Sequence, residues 1–475
     1  MSSPFHRMLQ SQQPGVGKVK VGKSDQEKAQ EKKDGVTLYV SLFLDGTKNN
    51  RYNTTLRINA NNALAKKHKS PGYVPSVQEA SQLDVYDDFH KEVSYQNYYS
   101  NVALLSYMNK KRRPDKKEIS VYVEGAGTDF VETRNDVGKP VVVYSGDTTA
   151  GSGFGTGDTG IPEKVTKGIQ KIREQVKRQK LYDPRQQYIE EIKVDVFGFS
   201  RGAAAARHFV HRRQELSKWP GQQAARVTVQ FVGLFDTVSS YGASFLDDVG
   251  QLGLAVGGQA RKVVHLVAGD ECRENFASTN IKSSIAAGVG YELVLPGVHS
   301  DVGGGYAEVE KEERMFLSPR NLDPLVRDGW FYQNADVHKS QVAITRDNYG
   351  DYRGYTARTV YYHYQLIPLA LMVALAHQSG LGLELADFDT GSASFTEKKA
   401  NPYNVPAELV RLRQEMHRFA VAHDRPQRQA FALPLTAEGK MVRNRYLHRS
   451  ELSSDIISAP HLNKQLFFER QPIDG

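Results

Sequence analysis

The sequence contains very little cysteine, since Cys272 is the single thiol among 475 residues. One cysteine excludes a disulfide within the chain and any metal site built from several thiolates. Long apolar runs are also absent. The stretch IPLALMVALAH at 367–377 is shorter than the roughly 18 residues that a membrane-spanning helix requires. We therefore expect a buried helix at 367–377, no spanning helix, and neither a metal nor another cofactor.

The N-terminal segment MSSPFHRMLQSQQPGVGKVKVGK lacks the apolar centre of a secretory signal. The chain also lacks a recognisable nucleic-acid-binding module, although its net charge is +8. Its basic residues cluster in the first 34 positions and again at 110–117, and such runs usually form a solvated surface. We predict synthesis in the cytoplasm without a cleaved signal and no nucleic-acid partner. Any export would then use a route that needs no cleaved leader.

Apolar segments of strand character alternate with segments of helical periodicity through much of the chain. The strand-like segments are 36–44, 119–130, 192–199, 226–238 and the beginning of 291–306. Continuous apolar runs such as VSLFL and VQFVGLF are typical of parallel strands that are buried on both faces. This alternation predicts an α/β fold, namely an α/β-hydrolase-like, mostly parallel sheet flanked by helices.

Composition changes along the chain suggest four parts. Residues 1–34 are rich in Lys and Gln and predict a flexible arm, while 35–306 hold the strands of the α/β-hydrolase catalytic core. Residues 307–360 are polar and interspersed with aromatics, which predicts an irregular or helical insertion or cap. We expect 361–475 to be a helical C-terminal part, or extension, that packs on the core.

The segment IKVDVFGFSRGAAAAR places a serine between two glycines where a strand should become a helix. Gly-x-Ser-x-Gly in this context is the pattern of a nucleophile elbow, which exposes a serine above the sheet edge. Gly198 and Gly202 supply the small neighbours that such a tight turn requires. Ser200 is therefore the predicted nucleophile, against the alternative that its side chain only caps the following helix.

A serine hydroxyl needs a general base and an acid that orients the base. Asp236 and His299 follow Ser200 in the order Ser, acid, His that α/β-hydrolases use, and each stands where a strand meets a loop. Glycines on both sides of His299 indicate a loop shaped for close approach. We predict His299 as base and Asp236 as acid. The other acids considered are Asp247, Asp248, Asp270 and Asp301.

Acyl transfer also needs N–H donors for the oxyanion. The backbone N–H of Arg201 opens the helix after the elbow, where the helix dipole favours negative charge. A second donor is expected from a loop after an early strand, and LFLDGTKNN offers the amides of Gly46 and Thr47. The alternative for this loop is an ordinary turn that ends a strand.

Six sequence blocks occur in a characteristic order: LFLDGTKNN, VEGAGTDF, VFGFSRGAAAAR, GLFDTV, HLVAGDECRENF and LPGVHSDVGGGY. Together they resemble a bacterial α/β-hydrolase family that includes the type VI secretion lipase effectors with a G-x-S-x-G elbow. The resemblance covers roughly residues 36–306 and the helix near 364–380. Six ordered blocks are much more specific than the elbow pattern alone.

The resemblance implies a phospholipase A1 or A2 that removes acyl chains from the glycerophospholipids of a rival bacterium. It places the nucleophile on Ser200, the base on His299 and the acid on Asp236. Asp247 and Asp248 stay open, because the loop after GLFDTV varies in length. It also implies delivery by type VI secretion into the target-cell periplasm, a secretion spike protein as carrier, and a cognate immunity protein in the producing cell.

Two other functions are compatible with the same residues. Because the fold hosts many substrates, a serine esterase acting on a soluble ester or amide is the first alternative. A binding protein that keeps the fold without catalysis is the second. The presence of a serine, a histidine and a well-placed aspartate argues against the second alternative.

Overall fold

The structure is a computed structural model that describes residues 33–67, 93–109, 116–134, 140–144, 147, 157–239, 248–334, 340–381, 405–450, 470 and 472–475. The predicted flexible arm therefore lies almost entirely outside the described residues. The basic residues at 110–115 and Asp247 lie outside them as well.

A seven-stranded sheet forms the centre of the molecule, and all of its neighbouring strands are parallel. In chain order its strands are β1 (Asp34–Leu44), β2 (Lys117–Val123), β5 (Gln187–Phe199), β6 (Arg226–Phe235), β7 (Ala260–Ala268), β9 (Gly290–Leu295) and β13 (Gln427–Ala430). Their spatial order is β13-β9-β7-β6-β5-β1-β2. The predicted mostly parallel sheet is confirmed.

Apolar side chains cover both faces of this sheet because both faces pack against helices. Along β1, Leu38, Val40 and Leu42 point to one face, whereas Phe43 contributes to the core on the other. The sequence shows a continuous apolar run here rather than an alternation, as expected for a strand buried on both sides.

The described helices are α1 (Arg51–Lys67), α2 (Val93–Gln96), α3 (Asn101–Met108), α4 (Ile161–Arg178), α5 (Arg201–Arg212), α6 (Asp248–Leu252), α7 (Lys282–Ala286), α8 (His299–Gly303), α9 (Pro319–Arg327), α10 (Leu366–Gln378), α11 (Ala407–Ala422) and α12 (Ala437–Tyr446). Helices α4 and α5 pack on one face of the sheet, and α3, α10 and α11 form the core on the other. The arrangement has three layers, helix–sheet–helix.

Helix α10 is the apolar segment that the sequence predicts as a buried helix. Every residue from Leu366 to Ala376 is buried. A helix that is apolar on all sides belongs in a core, because no side of it gains from water. No helix in the described part of the chain has the length and hydropathy that crossing a membrane would require.

The segment at 307–360 differs from the predicted irregular or helical cap. It contains a three-stranded antiparallel sheet of β10 (Val309–Phe316), β11 (Val342–Arg346) and β12 (Tyr352–Tyr361), and helix α9 precedes β11. The many charged residues of β10 interrupt the apolar pattern by which a strand is recognised in a sequence. The buried Glu312 on β10 is paired with Arg358 on β12, whose Nη2 donates to Oε2 at 2.6 Å.

The C-terminal part is more than the predicted helical extension. Its strand β13 joins the edge of the central sheet beside β9. Close to the end of the chain, β14 (Pro472–Ile473) pairs with β8 (Ser278–Thr279), and a further hairpin is made by β3 (Phe130–Arg134) and β4 (Pro140–Tyr144). The last residues of the chain are thus bound to the loop region after β7.

Candidate active site

Five polar residues follow strands of the central sheet at one edge. Because all strands run parallel, their carboxyl ends meet on the same side of the molecule. The residues are Asp45 after β1, Ser200 after β5, Asp236 after β6, Asp270 after β7 and His299 after β9. This edge is therefore the candidate active site, and it unites residues that are up to 254 positions apart in the chain.

The turn at Ser200 has the backbone of a nucleophile elbow. Ser200 has φ 57° and ψ −126°, a conformation that residues with a side chain rarely adopt. The turn is held by hydrogen bonds on both sides: Ser200 N–H donates to Phe235 O at 3.0 Å, and Ala203 N–H donates to Ser200 O at 3.0 Å. Helix α5 begins at the next residue, Arg201. The local fold is the strand–turn–helix that the sequence predicts.

The two glycines of the motif are required by close backbone contacts. A Cβ atom on Gly198 would lie 2.2 Å from Gly202 O, and one on Gly202 would lie 2.2 Å from Asp45 O. Neither contact involves a flexible side chain that can move away. Glycine at these positions lets the elbow sit directly against the end of β1.

We expect Gly202→Ala to destabilise the protein by about 2 kcal/mol or more, because the added methyl group overlaps backbone atoms. The urea midpoint should fall, and the serine should react more slowly with a fluorophosphonate probe. Gly250→Ala is the matched control, since a Cβ there meets nothing within 4 Å. Equal urea midpoints for the two variants would show that the close packing at the elbow is not needed.

Asp236 and His299 are in direct contact. His299 Nδ1 lies 2.6 Å from Asp236 Oδ2, the geometry of a short charge-assisted hydrogen bond. The Asp236 side chain is fully buried and that of His299 is 6% exposed. The bond fixes the tautomer of the imidazole, so that Nε2 is the nitrogen left to accept a proton.

Two aromatic rings hold the imidazole in place. The ring of Phe199, the residue before the serine, lies 4.7 Å from the His299 ring between centroids, and Phe276 packs edge-on at 5.0 Å. Ser200 Oγ makes no hydrogen bond within the described residues, so it is not bonded to His299 in this structure. Catalytic hydrogen bonds are often long before substrate binds, so this geometry is compatible with a base at His299.

Burial and charge set the protonation of the pair. Burial alone would raise the pKa of Asp236, but Arg470 and His299 outweigh it and hold that pKa well below its ordinary value. Burial lowers the pKa of His299, and the bond to Asp236 offsets only part of this effect. A neutral imidazole beside an ionised carboxylate is the resting state that a general base needs.

The rival acids have other partners. Asp270 Oδ2 accepts from Gly297 N–H at 2.6 Å, and Asp301 Oδ1 lies 2.6 Å from His448 Nδ1. Asp248 is the first residue of helix α6. Among Asp236, Asp270 and Asp301, the structure therefore brings Asp236 to the base.

The two amide donors predicted in the loop after β1, Gly46 and Thr47, differ in their hydrogen bonding. Gly46 N–H donates to its neighbour Asp45 at Oδ1, 2.8 Å away, which weighs against Gly46 as an oxyanion donor. Thr47 N–H has no acceptor among the residues that the structure describes. Arg201 Nε donates to Thr47 Oγ1 at 2.7 Å, which ties this loop to the first residue of α5. Thr47 and Arg201 therefore remain the pair of donors to consider.

Asp45 holds the loop in this shape. Its Oδ1 accepts from Ser100 Oγ at 2.5 Å and its Oδ2 from Tyr122 Oη at 2.6 Å. Burial raises the pKa of Asp45 to about 6, although these hydrogen bonds favour the ionised form. No local sequence pattern marks this role of Asp45, because its partners are Ser100, which caps α3, and Tyr122 on β2.

The residues after β7 shape the histidine loop. Besides Asp270, which binds Gly297, Glu271 accepts from His299 N–H at 3.2 Å and from Arg273 Nη2 at 2.9 Å. The Arg273 ion pair helps to lower the pKa of Glu271 to about 2 even though burial opposes it. The sequence does indicate these two residues. Asp270 and Glu271 directly follow strand β7, which lies in the sheet between the strands that precede Asp236 and His299.

A buried Asp–His pair and a strained serine turn, at the carboxyl edge of a parallel sheet, are the arrangement that α/β serine hydrolases use. The sequence itself matches one family model. Residues 210–322 match the model described as T6SS, Phospholipase effector Tle1-like, catalytic domain. The matched part contains Asp236 and His299 and begins ten residues after Ser200. It confirms the predicted resemblance and, with it, the prediction of a phospholipase effector of type VI secretion.

One solved structure shows the same architecture. A structure of the Tle1 effector bound to the VgrG spike from the type 6 secretion system is similar at TM-score 0.53 and 21% identity, covering 93% of this chain and 94% of that one. An uncharacterized protein from Pseudomonas aeruginosa is more distant, with TM-score 0.40, 17% identity, and coverage of 86% and 52%. No functionally curated protein sequence matches. The first similarity confirms the fold over nearly the whole chain.

Proposed function

We propose that the protein is a phospholipase A that cleaves acyl esters of glycerophospholipids with the triad Ser200, His299 and Asp236. The observation that carries the proposal is the 2.6 Å contact between His299 Nδ1 and the buried Asp236, at the sheet edge where the Ser200 elbow also lies. The family match supports a lipid ester as the substrate class.

The chemistry follows from the roles of these groups. Ser200 Oγ attacks the ester carbonyl while its proton passes to His299 Nε2, and Asp236 stabilises the imidazolium that forms. The oxyanion accepts hydrogen bonds from the backbone N–H groups of Arg201 and Thr47. The imidazolium then protonates the leaving lysophospholipid oxygen. A water molecule, deprotonated by His299, hydrolyses the acyl-serine and releases the fatty acid.

The cellular context belongs to the same proposal. The similar Tle1 effector was solved bound to the VgrG spike, which supports a spike protein as the carrier of this chain. A toxic phospholipase requires protection of the cell that makes it, so we propose a cognate immunity protein. The site of action is then the periplasm of the target cell, where phospholipid head groups are within reach.

The direct test is fatty acid release from vesicles of phosphatidylethanolamine and phosphatidylglycerol. We expect release by the unaltered protein, and positionally labelled acyl chains will distinguish A1 from A2 cleavage. Hydrolysis of soluble short-chain esters without release from vesicles would contradict the lipid substrate and favour a soluble ester. A protein that neither turns over ester nor reacts with a fluorophosphonate would contradict the serine hydrolase mechanism.

A further inference from the structure

Arg470 contacts the candidate acid directly. Its Nη1 donates to Asp236 Oδ1 at 2.6 Å and its Nη2 donates to Oδ2 at 2.9 Å, which is a bidentate ion pair. The side chain of Arg470 is 9% exposed and that of Asp236 is fully buried. Asp236 therefore binds the base and a permanent positive charge at the same time.

The guanidinium of Arg470 also donates to two backbone carbonyl groups near His299. Nε donates to Phe276 O at 2.7 Å, and Nη1 also donates to Ala268 O at 3.1 Å. Phe276 is the residue whose ring packs edge-on against His299. One guanidinium thus connects the acid, the end of β7 and the aromatic ring that supports the imidazole.

The chain around Arg470 is fixed by several contacts. Strand β14 pairs with β8, Asn280 N–H donates to Ile473 O at 2.9 Å, and Gly475 N–H donates to Asn280 Oδ1 at 3.1 Å. These bonds hold the C-terminal residues against the loop that carries Phe276. The position of the guanidinium is therefore set by folded structure rather than by a free tail.

We propose that Arg470 is a positioning residue of the triad, which orients the Asp236 carboxylate and makes protonation of His299 less favourable. This proposal rests on the function proposed above. Two physical reasons support it. Bidentate binding fixes the plane of the carboxylate, so Oδ2 stays aimed at Nδ1. A positive charge on the far side of the shared carboxylate weakens its attraction for an imidazolium.

Four charged groups act on the imidazole. Asp236 approaches from the end of β6, Glu271 and Arg273 from the loop after β7, and Arg470 from the C-terminal segment. The carboxylates favour the protonated imidazole and the two arginines oppose it. Burial holds the pKa of His299 below its ordinary value. Removing the Arg470 charge should therefore raise this pKa.

The test measures the rate at which a fluorophosphonate labels Ser200 as a function of pH, in the full-length protein. Labelling requires a neutral base, so the acidic limb of the profile reports the pKa of His299. For Arg470→Gln we expect the midpoint of this limb to move up by about one pH unit. The plateau rate should fall about tenfold or more, because the carboxylate loses its orientation.

Arg470→Lys separates charge from geometry. It keeps the charge, so the midpoint should stay close to that of the unaltered protein. A single ammonium does not reproduce both carboxylate bonds, so the plateau rate should still fall severalfold. A normal plateau with Arg470→Lys would overturn the positioning role, and this result decides the matter even if Arg470→Gln does not fold.

Asp474→Asn is the matched control, because it removes only a solvent-exposed ion pair to Lys282 and leaves Arg470 and the pairing of β14 with β8 in place. We expect it to label with the same midpoint and plateau as the unaltered protein. If both Arg470 variants lose rate without any shift between their midpoints, the residue has a structural role only. Absence of labelling in the unaltered protein would instead contradict the proposed serine hydrolase function.

Discussion

Ser200→Ala should reduce phospholipid hydrolysis by about 10⁴-fold or more while the protein stays folded. The hydroxyl is the atom that attacks the ester, so no other group at the sheet edge replaces it. Alanine has the same Cβ as serine, and the strained backbone at φ 57° is therefore no less favourable for it. Fatty acid release from vesicles measures the loss, and a urea titration verifies the fold.

The control for this variant is His299→Ala, alone and combined with Ser200→Ala. Members of a triad act as a unit, so the double variant should be no less active than either single one. Losses that multiply in the double variant would mean that the two residues act independently. Retention of most activity by Ser200→Ala would end the assignment of the nucleophile.

Asp236→Asn is the second variant with a very large expected effect, a loss of about 10⁴-fold in kcat. An amide does not stabilise the imidazolium and allows the wrong tautomer of His299. The change also leaves the Arg470 guanidinium without the carboxylate that accepts two of its hydrogen bonds. We therefore expect lower stability as well, by a few kcal/mol, since a buried charge loses its partner.

Asp248→Asn and Asp247→Asn are the controls for the acid, since both aspartates follow the same strand as Asp236. Because Asp236 is the carboxylate in contact with His299, substitution of either control residue should leave kcat nearly unchanged. The vesicle assay on all three variants compares them directly. Near-normal activity of Asp236→Asn, with a large loss in either control, would move the acid to that position.

Local sequence signals predicted the elbow and the histidine loop. The elbow needs a strand, two glycines and a helix that follow one another, and all of these lie within 192–212. The glycines around His299 have positive φ angles, 102° at Gly297 and 80° at Gly304. Only glycine adopts such angles without strain, so this backbone requirement is visible in the sequence.

Other parts of the site depend on contacts between distant residues. Nothing near Arg470 marks it, because its partner Asp236 is 234 positions away and its role arises only when β14 pairs with β8. Likewise the charged strand β10 looked irregular, because the partner that neutralises Glu312 lies on β12. The spacing of apolar and polar residues along the chain does not indicate which distant residues form such ion pairs.

The sequence by itself determined the parallel α/β core, the elbow at Ser200 and the presence of His299 in a glycine-shaped loop. These features follow from local backbone geometry and from which segments are apolar enough to be buried. The tertiary structure decided that Asp236 contacts the base, that Asp45 accepts a hydrogen bond from the Gly46 amide, and that Arg470 binds the acid. Hydrogen bonds and ion pairs of this kind form only after the chain brings distant carboxylates and cations together.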